Sequence, residues 1–333
     1  MKRNNSIGLG SKDSDKMSKK IQSRIVKQMR LKPGMTVDQL VEEMGGAGVI
    51  GAGSVARAVD IVTEMFGNPD YTVFLALSGP LVPSGMRLIF TDLIRGGHVN
   101  AVVTNGANMV HDLVEAMGGH HLVGSLKEDD RKLRKSGINR AYDIFMESHI
   151  FPDLEKHLNG LLDSIPEEKR VGIPIHRLLE EIGLRLKDED SILYNAAKHG
   201  VPIFSPGLLD SMLGIPLWMY TKRSRLELNP IKDFDRLASI VYDAKKAGAI
   251  ILGGGTPKHH TLYVNTLREG LDAAIQISSA TPEDGSLSGA PLTEAISWGK
   301  VKGDKIATVT GDITIIFPII VAAALERLES KES

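Results

Sequence analysis

Compact apolar runs alternate with amphipathic stretches through most of this chain. The runs at 71–77, 99–103, 201–204, 249–252 and 273–278 are too short for helices and show no polar alternation, so they read as strands buried on both faces. Between them lie helical patterns. Val55, Val59, Val62 and Phe66 repeat at helical spacing over 54–66, a second helix is predicted over 86–94, a third passes through Leu113 and Met117, and a fourth covers 232–246. Thr36 and Gln39 have the spacing of a capping box and predict a helix over 37–44, with the glycine-rich link GGAGVIGAG (45–53) after it. The apolar run 313–325 contains Pro318, is too short to span a bilayer and reads as a buried helix. Strands alternating with helices predict an α/β fold, a parallel sheet with helices on both faces. The stretch from about 126 to 200 is more charged and helix-rich, as expected of an insertion between two halves of the sheet. Residues 34–329 are expected to form a single domain.

In such sheets ligands bind outside the carboxyl ends of the strands, which singles out loops 78–85, 104–112, 205–215, 253–260, 278–289 and 310–313. Composition changes this picture little: 42% hydrophobic, 24% charged and a formal net charge of −1 give no sign of a nucleic-acid partner. The charge is uneven, with +7 in residues 1–30 and −8 in the rest. Residues 1–33 therefore read as a basic N-terminal arm, disordered over 1–12 and helical over 14–30. Cysteine is absent, which excludes disulfides, thiolate chemistry and cysteine-based zinc sites and fits a reducing, cytoplasmic setting. No apolar core of a signal peptide occurs in the first 20 residues.

The densest candidate chemistry lies in DGSLSGAPLTEAISWGK (284–300). A Gly/Ser turn leads through Pro291 into a short helix that ends at Gly299 and is followed by Lys300. Glu294 and Trp298 are four apart and share a helix face, so a carboxylate, an indole and a primary amine lie close together. To act as a nucleophile Lys300 must lose its proton, which requires burial or a nearby cation to outweigh the helix dipole. Gly253-Gly254-Gly255 follows a strand and precedes a helix, where bare glycines let a phosphate approach backbone N–H groups; a plain tight turn fits equally. His259-His260 and His120-His121 are adjacent pairs, not the i, i+4 pair that binds a metal, and no metal is expected. Asp210, Asp284, Glu294 and Asp312 stand in or beside crevice loops, as ligand groups or as ordinary caps. Gly299-Lys300 is followed by Val301, so there is no Walker A motif, and no G-x-S-x-G occurs.

Together these pieces resemble the deoxyhypusine synthase family. The resemblance rests on ILGGGTPKHH (251–260), LSGAPLTEAISWGK (287–300) and GDITIIFP (311–318), supported by FSPGLLDSMLG (204–214) and SGINRAYD (136–143), and it extends from about Gly34 to Leu325. It implies a Rossmann-like sheet, a homotetramer of tight dimers with sites at the dimer interface, and bound NAD. It implies oxidation of spermidine, transfer of its aminobutyl group to an enzyme lysine, and delivery to a lysine of the hypusine-bearing translation initiation factor. By motif position the carrier is Lys300 and the proton-handling histidine is His259. Glu294, Trp298, Asp284, Gly285, Ser286 and His111 are the substrate-side candidates. The cofactor-side candidates are Gly79, Pro83, Thr104, Asn105, Gly106, Asp210, Gly253, Gly254, Gly255, Ser279, Ala280, Asp312 and Ile313.

The chain departs from the eukaryotic pattern of the family. Ile215 and Leu287 replace polyamine-binding acids, Pro80 replaces an Asn, and Val110-His111 replace a Glu pair. LSGA and TNGAN are similar to archaeal and bacterial members. Asp284, Glu294 and Asp112 are the acids available to compensate. Two further readings stay open: a homospermidine synthase-like enzyme with a free amine as acceptor, and a non-catalytic NAD- or polyamine-binding protein.

Overall fold

The structure, a computed structural model, describes residues 24–332. Its strands in chain order are β1 (Tyr71–Leu77), β2 (Ala101–Thr104), β3 (Leu122–Val123), β4 (Ile138–Ala141), β5 (Ile144–Glu147), β6 (Ile203–Phe204), β7 (Lys246–Leu252), β8 (Ala273–Ser278) and β9 (Ile306–Thr310). Six of them form one sheet in the order β6-β2-β1-β7-β8-β9, every pairing parallel. Counted along the chain, that order is 3-2-1-4-5-6, the doubly wound arrangement of dinucleotide-binding folds. The fold class read from the apolar runs is the one observed.

Side chains alternate across the central strands and feed two cores. Leu75, Leu77, Ile250, Leu252, Ile275 and Ile277 face one core, with the helices Ile50–Gly67, Gly106–Ala116 and Ile313–Glu332. Phe74, Ala76, Ala249, Ile251 and Ala274 face the other, with the helices Asp233–Asp243, Gly255–Val264 and Leu292–Ser297. Burial on both faces is why these strands read as unbroken apolar runs.

Several expectations are corrected. The capping box of Thr36 and Gln39 is present, but its helix runs on to Ala47, and the next starts at Ile50; most of the glycine-rich link is helical. The basic helix expected over 14–30 is absent from residues 24–30, which lack regular structure; the remainder of that stretch and residues 1–12 lie outside the described residues. Arg24–Arg30 instead lie along the helix Val37–Ala47, with Lys27 Nζ 3.0 Å from Glu43. The strand after 232–243 begins at Lys246, because Ala244 already takes an extended conformation. Strand β9, with only Ala307 and Val309 buried, lacks an apolar run and was not foreseen. The insertion carries helices but also the small antiparallel sheet β3-β5-β4. Among the described residues, no helix is long and apolar enough to cross a membrane.

Candidate active site

Connections leave β1 and β7 toward opposite edges of the sheet, which opens a crevice at their carboxyl ends. The ends are level: Leu77 pairs with Leu252, Ser78 N–H donates to Leu252 O, Gly253 N–H to Ile277 O and Gly311 N–H to Ser278 O. The turns after β1, β7, β8 and β9 thus converge on a cleft of about 970 Å³. Gly79, Pro83, Gly253, Gly254, Ser279, Ala280, Asp312 and Ile313 line it, as do Ser78 and Ser288. Gly79 and Gly253 have φ of 89° and 81°, a conformation that disfavours side chains. A Cβ on Gly254 would collide with the backbone of Ser288, so the bare glycine lets the loop before Lys300 close onto the turn. Asp312 caps the helix Ile313–Glu332 through Thr314, and these hydrogen bonds hold its carboxyl below the usual range. The small sheet roofs the opening with Leu122, Val123 and Tyr142, Tyr142 being 70% exposed.

Five cofactor-side candidates lie apart from the cleft wall. Thr104 is fully buried and receives the side-chain amide of Asn108 at 3.2 Å. Asn105 caps the helix Gly106–Ala116, Gly106 packs against Ser211, and Asp210 is exposed. Gly255 opens the helix Gly255–Val264, its N–H donating to Ser288 Oγ at 3.1 Å.

The carrier stretch folds as a helix, Leu292–Ser297, anchored through Leu292 and Ala295, with Trp298 at its C-cap. Pro291 stands just before the first turn rather than in it. Lys300 turns back so that Nζ lies 5.2 Å from the centre of the Trp298 ring. Glu294 is exposed and Trp298 is 67% exposed. The Ser286 side chain, and its N–H at 2.6 Å across Gly285, hydrogen-bond to Asp284 and lower its pKa. His259 is exposed and stacks on Tyr263 with centroids 5.8 Å apart. His111 Nδ1 is 2.9 Å from His121 Nε2, and His121 Nδ1 is 2.5 Å from Glu115. Burial, with the neighbouring His121, pushes His111 down to about 4. The chain thus brings Lys300 and Trp298 together, while His259 and His111 have other neighbours.

The family model described as deoxyhypusine synthase matches residues 39–324. The chain belongs to the deoxyhypusine synthase family. It is 47% identical over 304 residues to a probable deoxyhypusine synthase of Methanothermobacter thermautotrophicus, covering 91% of this chain and 98% of the relative. It is 44% identical over 308 residues to probable deoxyhypusine synthase 1 of Methanosarcina acetivorans, covering 92% and 96%. A candidate deoxyhypusine synthase from Entamoeba histolytica shares the fold, with a TM-score of 0.63 at 21% identity over 90% of this chain and 97% of that one. The chain is therefore an enzyme, a transferase of hypusine biosynthesis, and the non-catalytic reading falls.

Ile215 and Leu287, which by the resemblance stand where polyamine-binding acids are expected, differ in setting: Ile215 is 66% exposed, and Leu287 is half-buried. Asp112 does not compensate for them. It is fully buried, accepting Arg87 Nε at 2.7 Å, Ser191 Oγ at 2.8 Å and the N–H groups of Ile192 and Leu193. Sequence reasoning missed Lys258 and Gln276, both buried beneath the carrier loop. Lys258 stands four before the buried Leu262, a spacing that places it on the covered face of its helix. It also missed the roof, whose short strands have no apolar run to reveal them.

Proposed function

We propose that this enzyme transfers the aminobutyl group of spermidine, through an imine on Lys300, to a specific lysine of the hypusine-bearing translation initiation factor. The observation that carries the reading is Lys300 Nζ over the Trp298 ring, on a loop that Ser288 joins to the glycine turn of the cleft. The residues of the cleft fit NAD: a doubly wound switch point, two glycines at positive φ, and a third kept bare where Ser288 approaches. NAD, when bound, supplies the hydride acceptor for the first step and the donor for the last. The turns after β1, β7, β8 and β9 would hold it, and the roof at Tyr142 would exclude water.

The remaining chemistry belongs to the chain. Oxidation at the carbon beside the secondary amine of spermidine gives a C=N bond. The neutral amine of Lys300 adds to that carbon, and 1,3-diaminopropane leaves with the electron pair and a proton. His259 is the proposed proton carrier, and the Trp298 ring and Glu294 are proposed to hold the cationic chain. The lysine of the acceptor then displaces Lys300, and reduction of the new imine completes the transfer. The exposure of Trp298 and Glu294 suits an acceptor as large as a protein. The proposal includes a cytoplasmic homotetramer built from dimers. A free amine as acceptor is the second reading, favoured by the loss of acids at Ile215 and Leu287.

The test is incubation with labelled spermidine, NAD and the factor, followed by mass analysis. An aminobutyl mass on one lysine of the factor is expected. Label appearing only on a free polyamine overturns the protein acceptor. Lys300→Ala should abolish transfer and the borohydride-trapped adduct while NAD still binds; transfer at the wild-type rate excludes Lys300 as carrier.

A further inference from the structure

Beneath the carrier loop lies a polar pair that the reaction above leaves unused. Lys258 is 2% exposed and Gln276, in the middle of β8, is 1% exposed. The ammonium of Lys258 donates to Gln276 Oε1 at 3.0 Å, Leu287 O at 2.8 Å and Ala290 O at 2.5 Å, so all three of its donors are engaged. The Gln276 amide donates to Ser288 O at 2.9 Å and to Gly253 O at 3.1 Å. Two side chains therefore bind three carbonyls of the segment 287–290 and one of the cleft turn.

We propose that Lys258 is a positioning residue for the transfer reaction: with Gln276 it clamps the segment 287–290 and so fixes the cofactor turn and the carrier helix relative to each other. The proposal rests on the assignment of Lys300 as carrier. Segment 287–290 makes no sheet or helix ladder, and without the clamp three of its carbonyls would be left unpaired in a partly buried position. On one side it touches the cleft, where Ser288 Oγ accepts the Gly255 N–H. On the other it runs through Pro291 into the carrier helix, whose Ala295 O accepts the Lys300 N–H at 3.0 Å. A shift of this segment would move the carrier amine relative to the cleft, and small misplacements of reacting groups cost large factors in rate.

The ammonium of the clamp also feels the charges of the carrier segment. Glu294 and Lys300, both from the carrier segment, are the charged groups whose fields reach Lys258. Burial pushes Lys258 down to about 8, with Glu294 opposing and Lys300 adding to the shift.

Borohydride trapping of the spermidine adduct on Lys300, at saturating NAD and spermidine from pH 7 to 10, tests this in the full-length enzyme. Lys258→Met is expected to slow adduct formation about tenfold or more, a loss that persists at saturating NAD and spermidine. Gln276→Met, which removes the bonds to Ser288 O and Gly253 O but keeps Lys258, is expected to slow the reaction as well. That second variant also keeps the proposal falsifiable if Lys258→Met fails to fold. A wild-type rate in Lys258→Met or in Gln276→Met overturns the clamp. A rate loss that higher NAD concentration fully restores also overturns it, since only the cofactor turn would then depend on the pair. Absence of adduct in the wild-type enzyme overturns the carrier assignment, and this role with it; adduct in wild type with an unchanged Lys258→Met overturns this role alone.

Discussion

Asp112 accepts four hydrogen bonds at its side chain, from Arg87, Ser191 and the N–H groups of Ile192 and Leu193. It caps the helix Ile192–Lys198 from a distance and ties the insertion to the sheet. Asp112→Ala should therefore cost about 3 kcal/mol or more, since it strands Arg87 and the helix N–H groups. Urea unfolding measures that loss, and spermidine affinity of the folded variant should be unchanged; a selective loss of affinity would return Asp112 to the substrate. In sequence this carboxylate looks available because three of its four partners lie about 80 positions further on. Trp298 was easier to read, four residues after Glu294 and two before Lys300. Trp298→Ala should weaken polyamine binding by about 0.5–2 kcal/mol, the worth of a cation–π contact, and leave NAD titrations unchanged. His111 stays neutral in the folded enzyme down to about pH 4. The unfolded chain takes up that proton near its ordinary pKa of about 6.5. Between these values the unfolded state binds more protons, so stability is lost as pH falls through 6.5 toward 4. His111→Gln should flatten the pH dependence of urea midpoints over that range, and an unchanged slope would mean that the ring is not buried neutral.

The glycine turn after β7 and the carrier loop act as one element. Gly254 has no room for a Cβ because Ser288 packs against it. Gly254→Ala should push the two apart and weaken NAD binding about tenfold or more, with a smaller effect on thermal stability; isothermal titration beside a melting curve separates the two. Much of this element was legible: GGG after an apolar strand and before a helix states its own geometry, and Pro291 and Gly299 bracket the carrier helix closely. The rest was not, for physical reasons. Strand β9 is an edge strand with a mixed face, and the strands of the roof have two to four residues, so neither produces a periodic signal. The link 45–53 misled because glycines that usually break helices are here used for close packing, with Gly45 against Ala56 and Gly53 against Gly48. The buried Lys258 was hidden because a lysine in a helix reads as solvated unless the acceptors above it are known.

At the scale of the molecule, the carrier and the cleft are joined by Ser288 yet face different surroundings. Among the described residues lining the cleft, none comes from 290–300, while Trp298 stands 67% exposed. Large apolar side chains nearby in the sequence of site loops are exposed too: Ile215 at 66%, Trp218 at 59% and Ile315 at 64%. Such residues are costly to leave in water, and a second copy of the chain is one way to cover them. If each site takes its carrier from one subunit and its cleft from the other, two inactive variants should rescue each other. Lys300→Ala removes the carrier, and Ser279→Trp fills the cleft. Mixed and reassembled in equal amounts, half of the dimers would be hybrids, each with one site carrying both defects and one carrying neither. About a quarter of wild-type transfer activity should then return, as expected for a two-fold symmetric interface. Mass analysis of the acceptor, with light scattering to follow the hybrids, provides the measurement. Hybrids that form and stay inactive would place the carrier and cleft of each site in a single chain.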